Sequence, residues 1–461
     1  MPTSLVTITP RVLPDLRLGR RLQRLVDALA ARAEARLGQA LPCWAERKAA
    51  YRFFAHAELT PETILAAARP AVVARVGKAA GVVLAIQDTT TLNFSHRPAT
   101  VGLGPLGGTP AQGFEIHSCL AVDAETGVPL GLLAQQLWAR DPAGVASKAS
   151  HHQRLAAEKE SKRWAETEAS SLAGLPASVP VVSVADAEGD IYTWFTAARP
   201  AHAFLLVRVA QQRRQTQAGG SVRAAAQAAP VAGHYAVPLR AAPGRAARTA
   251  HCQVRWSPLT LRPPVSGRRE PGRDQPVGLC VVLVEEVAPP AGGAPLQWLL
   301  LTSWPVAGWE DAARVVWWYT QRWLVERYHL VLKTGCQAEA LQLREEGRLE
   351  RAVAVYCLVA VQVLGLTYLA REQPNRPCTV ALTEPEWQAL CLVQQPGQPL
   401  PQAPPPLRQA TRWVAMLGGF LGRTRDGEPG PLTIWRGLDR LRDLALGLQL
   451  ARGLTPPLTY G

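Results

Sequence analysis

The sequence lacks any uninterrupted apolar run of the roughly 18 residues that a membrane-spanning helix requires. It also lacks a C-x-x-C pair. Its eight cysteines (Cys43, Cys119, Cys252, Cys280, Cys336, Cys357, Cys378 and Cys391) stand apart, which argues against a zinc site or a disulfide framework and leaves buried thiols. The first twenty residues contain Arg and Pro but no apolar block before a small-residue cleavage site, so no secretory signal is expected and the chain reads as cytosolic. Charge is sparse at 19% of residues, yet the 48% hydrophobic content excludes a disordered chain. Acidic residues are the scarcer sign, 36 Asp plus Glu against 50 Lys plus Arg, giving a net charge of +14. A phosphate-bearing partner would account for an Arg-rich excess, because guanidinium groups contact phosphates bidentately. A GC-rich genome would also enrich Arg and Ala, so charge alone does not separate the two.

At 461 residues the chain is long enough for two to four domains, or for one large domain with insertions. LGRRLQRLVDALAARAEARLG, Leu18 to Gly38, spaces Leu22, Leu25, Val26 and Leu29 at helical intervals beneath an Arg-rich outer face. A second helical stretch follows, with Thr60 as a helix cap, Pro61 at the first helical position and Glu62 in the first turn. The texture then changes. GVVLAIQDTTTL is a continuous apolar run that ends at Asp88, as in a buried strand delivering a side chain from its carboxyl end. Residues 114–140 read as a hairpin turning near Glu125 to Gly127, Glu158 to Leu175 as a helix, and VPVVSVADAEGDIY as a second buried strand ending at Asp186. This order begins a mixed α/β sheet. Short β-like runs from Phe204 to Thr302 suggest a β-rich insertion carrying a basic, mobile loop, SPLTLRPPVSGRREPGRDQP. Helices follow, including the apolar RAVAVYCLVAVQVLGLTYLA, and a Pro-rich break, QQPGQPLPQAPPP, sets off a helical tail. The expected regions are 1–75, 76–203, 204–302, 303–372 and 373–461.

Within YTQRWLVERYHLVLKTG, Tyr319 to Gly335, the residues Tyr319, Arg322, Glu326 and Lys333 sit at offsets zero, three, seven and fourteen. At about 100° per residue they fall within roughly 60° of one another on a helix, with Leu324, Tyr328, Val331 and Leu332 on the opposite side. A solvated face with an Arg322–Glu326 ion pair would give the same pattern. Two strands ending in Asp and a helix presenting Glu can bring three carboxylates together. Like charges that close would raise one another's pKa values unless a cation held them. Mg²⁺ or Mn²⁺ prefers such oxygens, and a pair of ions can stabilise the attacking and leaving oxygens of a phosphodiester displacement.

The blocks IQDTTTL, VADAEGDIY and YTQRWLVERYHLVLKTG resemble the three catalytic blocks of bacterial insertion-sequence DDE transposases, the group marked by Y-x(2)-R-x(3)-E-x(6)-K. The likeness extends through AAYRFF near Tyr51, EKESKRW near Lys159, PLQWLLLTS near Trp298 and GGFLGRTRDGEPG near Gly419. It implies a ribonuclease-H-like catalytic domain with a β-rich insertion, flanked by a helical end-binding N-terminus and a helical C-terminus that pairs two protomers. It also implies Asp88, Asp186 and Glu326 as ligands of two Mg²⁺ ions, with Mn²⁺ able to substitute. Tyr319, Arg322 and Lys333 resemble the residues that hold transposon-end phosphates, and Arg208 resembles a further phosphate contact. Trp298, with Trp323 as a second candidate, matches the role of stacking on a base that leaves the duplex when a hairpin forms. Lys159, Lys162 and Arg163 would either meet DNA or form a solvated helix face, and Arg17, Arg20, Arg21 and Arg24 would take part in end recognition. The implied chemistry is strand cleavage, hairpin formation, hairpin opening and joining of the 3′-OH ends to target DNA. A two-metal nuclease without strand transfer, or a silent DNA-binding descendant, shares parts of this pattern. A glycosidase with paired carboxylates explains neither the charge nor Lys333.

Overall fold

The computed structural model of the chain describes residues 6–32, 37–41, 43–107, 109–141, 160–239, 246–264, 275–290, 292–423 and 426–453. The central part of the expected basic loop (265–274) and Lys159 lie outside these residues.

Among the described residues ten strands form one mixed sheet: β1 (Val83–Asn93), β2 (Gly104–Pro105), β3 (Gln112–Asp123), β4 (Pro129–Trp138), β5 (Val181–Ala185), β6 (Ala203–Arg208), β7 (Val231–Leu239), β8 (Arg248–Leu261), β9 (Val277–Glu286) and β10 (Gln297–Thr302). β1 pairs in parallel with β5 and β5 with β6, while β3 runs antiparallel to both β1 and β4. The resulting order β4-β3-β1-β5-β6, with only β3 reversed, is the mixed arrangement of a ribonuclease-H-like core. The expected hairpin is β3–β4, and Asp123 closes its turn by accepting the N–H groups of Glu125 and Thr126 at 3.0 and 2.9 Å.

The apolar run of β1 is explained by burial on both faces. Leu84 and Ile86 enter one core cluster, Val83 and Ala85 the other, as the two-residue period of a strand requires. The run from Phe204 was expected to head the β-rich insertion. Instead it is core strand β6, and β10, β9, β8 and β7 continue the same sheet beyond it through antiparallel pairings. The insertion thus extends the sheet, and β10 lies directly beside β6. Helix α3 (Arg163–Leu172), entered through a 3-10 turn at Glu160–Lys162, covers one face.

Helical regions flank the sheet. At the N-terminus α1 (Leu16–Ala31) buries Leu18, Leu22, Leu25, Val26 and Leu29 and exposes Arg17, Arg20, Arg21 and Arg24. α2 (Trp44–Phe54) buries Phe53 and Phe54. Thr60 caps the short helix Pro61–Ala66 as expected, exchanging hydrogen bonds with Thr63. After the sheet come α4 (Trp309–Gln321), α5 (Trp323–Leu330) and α6 (Glu346–Glu372). By length and composition α6 could cross a membrane, contrary to the sequence expectation, but 88% of its most apolar window is buried inside the chain. Arg351 on α6 donates to the carbonyls of Phe54 and Leu59, tying the N-terminal helices to it. α7 (Glu384–Gln394), α8 (Leu407–Leu417) and α9 (Pro431–Ala451) complete the C-terminal region.

α8 and α9 meet through glycine. A Cβ on Gly437 would lie 1.7 Å from the Val414 carbonyl oxygen, whereas one on Gly447, ten residues along α9, would meet nothing within 4 Å. Alanine favours a helix over glycine by about 1 kcal/mol, and overpacking costs about 1–3 kcal/mol. Thermal melting should therefore show Gly447→Ala slightly stabilised and Gly437→Ala destabilised. Equal effects at both positions would contradict this close crossing.

Candidate active site

The pairing of β1 with β5 places the two aspartates side by side. The last parallel pair is Ile86 with Val184, and Asp88 and Asp186 each follow two residues later. Two residues is one strand period, so both point to the face on which Ile86 and Val184 are buried. β1 does not end at Asp88, as the sequence suggested, but continues to Asn93 because β3 keeps pairing with it. β5 does end at Ala185. Asp186 then caps the turn Ala187–Gly189, accepting the Glu188 N–H at 2.9 Å. Arg208 follows Leu206 on β6, and Trp298 precedes Leu300 on β10, so the same period sends them to this face too.

The segment from Tyr319 to Gly335 packs on that face, but not as one uninterrupted helix. Between α4 and α5 the ladder tightens: Arg322 N–H donates to Tyr319 O at 3.1 Å and Val325 N–H to Arg322 O at 3.3 Å. After α5 the backbone widens into a π turn, Val331–Gly335, closed by Cys336 N–H to Val331 O at 2.7 Å. The apolar back is as expected, with Leu324, Tyr328, Val331 and Leu332 all buried. Tyr319 is buried as well. Its ring meets Trp298 edge to face with centroids 4.9 Å apart, and its hydroxyl has no hydrogen-bond partner in normal geometry. Burial raises the Tyr319 pKa, which Arg322 and Arg208 oppose and Asp186 reinforces.

Glu326 is ion-paired with Arg322. Asp88 carries a strong electrostatic signature. Its pKa is pushed up to about 7, first by burial and then by the charges of Asp186 and Glu326, against the pull of Arg322 and the Thr89 backbone. The three carboxylates therefore share one field. They do not form a ready coordination sphere: among the described residues no group of three or more His, Cys, Asp or Glu side chains is arranged to ligate an ion. Glu326 is turned to Arg322, and Asp186 is held by a backbone N–H. The donor set nevertheless fits a hard divalent cation, because an ionised Asp88 is disfavoured until positive charge reaches it.

The remaining expected residues divide. Arg208, half-buried, and Lys333, in the π turn, carry no ion pair among the described residues. Trp298 is half-buried against Tyr319, whereas Trp323 is 49% exposed. Lys162 and Arg163 are not brought to this face. Arg163 reaches Thr89, one residue past Asp88 and so on the opposite side of the sheet, donating at 3.2 Å. It also pairs with Glu188 at 3.4 Å, while Lys162 is exposed beside Glu166. Sequence reasoning overlooked two features. Asp190 accepts the N–H groups of Ala210 and Gln211 and pairs with Arg214 at 2.6 Å, fixing the exit of the strand that carries Arg208. His329 lies buried against Asp88. Only its spacing of three from Glu326 hinted at this.

With this geometry in place, two family models match the chain. One, described as Transposase DNA-binding, covers residues 12–59, and the other, Transposase Tn5 dimerisation domain, covers residues 358–456. Both lie outside residues 60–357, where the sheet and the three carboxylates are. Together with the fold they support a DNA transposase, with DNA as a partner and a homodimer as its assembly.

The raised pKa of Asp88 has a consequence for stability. An aspartate above its unfolded value of 3.8 stabilises the fold at low pH and loses that contribution as pH rises through about 7. Asp88→Asn should accordingly melt higher than wild type at pH 8, by on the order of 1 kcal/mol or more, with a smaller gain at pH 5. A gain independent of pH would contradict the burial of this charge.

Proposed function

We propose that the chain is a cut-and-paste DNA transposase of the Y-R-E-K signature group, with Asp88, Asp186 and Glu326 as its catalytic carboxylates. The observation that carries this reading is the parallel register of β1 and β5, which sets Asp88 beside Asp186, with Glu326 near enough to Asp88 for its charge to raise that carboxyl. Two Mg²⁺ ions, or Mn²⁺, would supply charge neutralisation at the attacking and leaving phosphodiester oxygens when bound. The chain's own contribution is placement. Asp88 and Asp186 are fixed by strand register, and Glu326 swings between Arg322 and the aspartates. Arg322, freed when Glu326 turns away, joins Arg208 and Lys333 in holding the phosphates of the DNA end. The Tyr319 hydroxyl, beside Arg322 and without a hydrogen-bond partner of normal geometry, is a further donor to that backbone.

The hairpin step needs an aromatic surface for a displaced base. Trp298 would take this role if its edge contact with Tyr319 opens, and Trp323 offers an exposed ring without rearrangement. Under this reading residues 1–75 bind the element's ends and 373–461 pair two protomers. Residues 76–208 and 303–372 form the catalytic core, and the sheet extension occupies the residues between β6 and 302. The Arg-bearing face of α1 would meet the ends through Arg17, Arg20, Arg21 and Arg24.

The test is cleavage of a labelled duplex bearing the element's own end, with Mg²⁺, by wild type and by Glu326→Ala. Hairpin-ended product from wild type is expected, reduced at least about 100-fold in the variant, with gel-shift binding retained. Binding without cleavage by either protein would instead identify a silent, transposase-derived DNA-binding protein. Nicking by wild type without hairpin or joined product would favour a related two-metal nuclease.

A further inference from the structure

We infer that His329 is a positioning residue for Asp88: its ring, anchored to Ser118 on the neighbouring strand, sets the side from which the Asp88 carboxylate is guided. The inference builds on the reading of Asp88 as a site carboxylate. His329 is only 5% exposed and lies on α5, on the side that packs against the sheet. Its Nδ1 is 3.7 Å from Asp88 Oδ2 and its Nε2 is 3.2 Å from Ser118 Oγ. Asp88 and Ser118 are directly opposite each other in the antiparallel β1–β3 ladder, so one ring spans both strands.

The chemistry of a neutral imidazole suits this place, since it has one donor and one acceptor nitrogen. The Ser118 hydroxyl lies 3.2 Å from Nε2 and 3.5 Å from Gln135 Oε1, and when it donates to the nearer Nε2 the Nδ1 hydrogen is left aimed at the carboxylate. At 3.7 Å the Asp88 contact is longer than a hydrogen bond. The ring therefore guides the free carboxylate without engaging it, and a small movement of Asp88 towards it would complete the bond.

The rest of the site gives that guidance a purpose. Arg322 favours the ionised form of Asp88, but its guanidinium is already occupied by Glu326. Behind the ring the support continues: Tyr328 donates its hydroxyl to Gln135 Oε1 at 3.0 Å, and Gln135 donates to Cys357 Sγ at 2.9 Å. A leucine would fill the same space without burying polar atoms, so packing alone does not call for an imidazole here.

The test uses the full chain bound to duplex DNA. Mn²⁺ binding is followed by loss of the free-ion electron paramagnetic resonance signal, and nicking is measured against Mn²⁺ concentration. His329→Leu should raise the half-saturating Mn²⁺ concentration about 10–100-fold in both measurements. His329→Asn, whose side-chain N–H can replace the Nδ1 donor, should restore most of it. Unchanged Mn²⁺ binding in His329→Leu, or an Asn variant no better than Leu, would reduce the ring to packing and overturn the inference. Should His329→Leu fail to fold, Ser118→Ala carries the test: a smaller rise is expected, and no rise overturns it. Asp88→Ala separates the two claims. If it binds Mn²⁺ like wild type, the reading of Asp88 fails and the inference falls with it. If it loses binding while His329→Leu keeps it, only the positioning role fails.

Discussion

The parallel pairing of β1 with β5 is the constraint on which the other features of the site depend. A shift of one residue in that register would send either Asp88 or Asp186 to the opposite face, where α3 and Arg163 lie. The pairing is held by burial on both sides. Leu84, Ile86, Val182 and Val184 fill one cluster, and Val83, Ala85 and Val181 fill another. Because β6 and β10 continue the same sheet, the period that orients the aspartates also orients Arg208 and Trp298. The helical segment beginning at Tyr319 then closes over this face through its buried side. One register therefore decides which side chains can meet.

Gathering these groups has an electrostatic cost that remains visible in the free chain. Asp88 is pushed up to about 7 and Glu326 is drawn onto Arg322. The free site is thus poised between two ways of neutralising its carboxylates, an internal guanidinium or an incoming cation. An approaching DNA end presents phosphates that compete for the same guanidinium. Under the proposed function, DNA would release Glu326 from Arg322 as it arrives, so that substrate binding and completion of the carboxylate set are coupled. The chain's net charge of +14 favours that approach over long range.

Much of this architecture was legible in the sequence because it depends on periodicity. Uninterrupted apolar runs gave the buried strands, a turn signal gave the β3–β4 hairpin, and the heptad-like spacing of Tyr319, Arg322 and Glu326 gave the helix with its buried back. What was not legible depends on pairing between distant segments. Nothing local to FLLVRVA tells that it pairs with β5 and belongs to the core. Thr89 and Asp88 are neighbours in sequence but lie on opposite faces, so the basic residues at 162 and 163 could not be assigned to a side. The tightened turn at Arg322 and the π turn at Lys333 leave the residue spacing unchanged, and so were invisible to a pattern based on 100° per residue. His329 was missed for a related reason. An isolated histidine on a helix is ordinary until its neighbours, Ser118 and Asp88, are known.

The central claim is that Asp88 and Asp186 are brought together to hold a divalent cation, and crystallography tests it most directly. Crystals of the full chain with a duplex end, soaked in Mn²⁺, would be measured at a wavelength where manganese scatters anomalously. The account predicts an anomalous peak beside the Asp88 and Asp186 carboxylates, with Glu326 turned away from Arg322. An ordered DNA end with no peak between these aspartates, or a peak held by other residues, would contradict it.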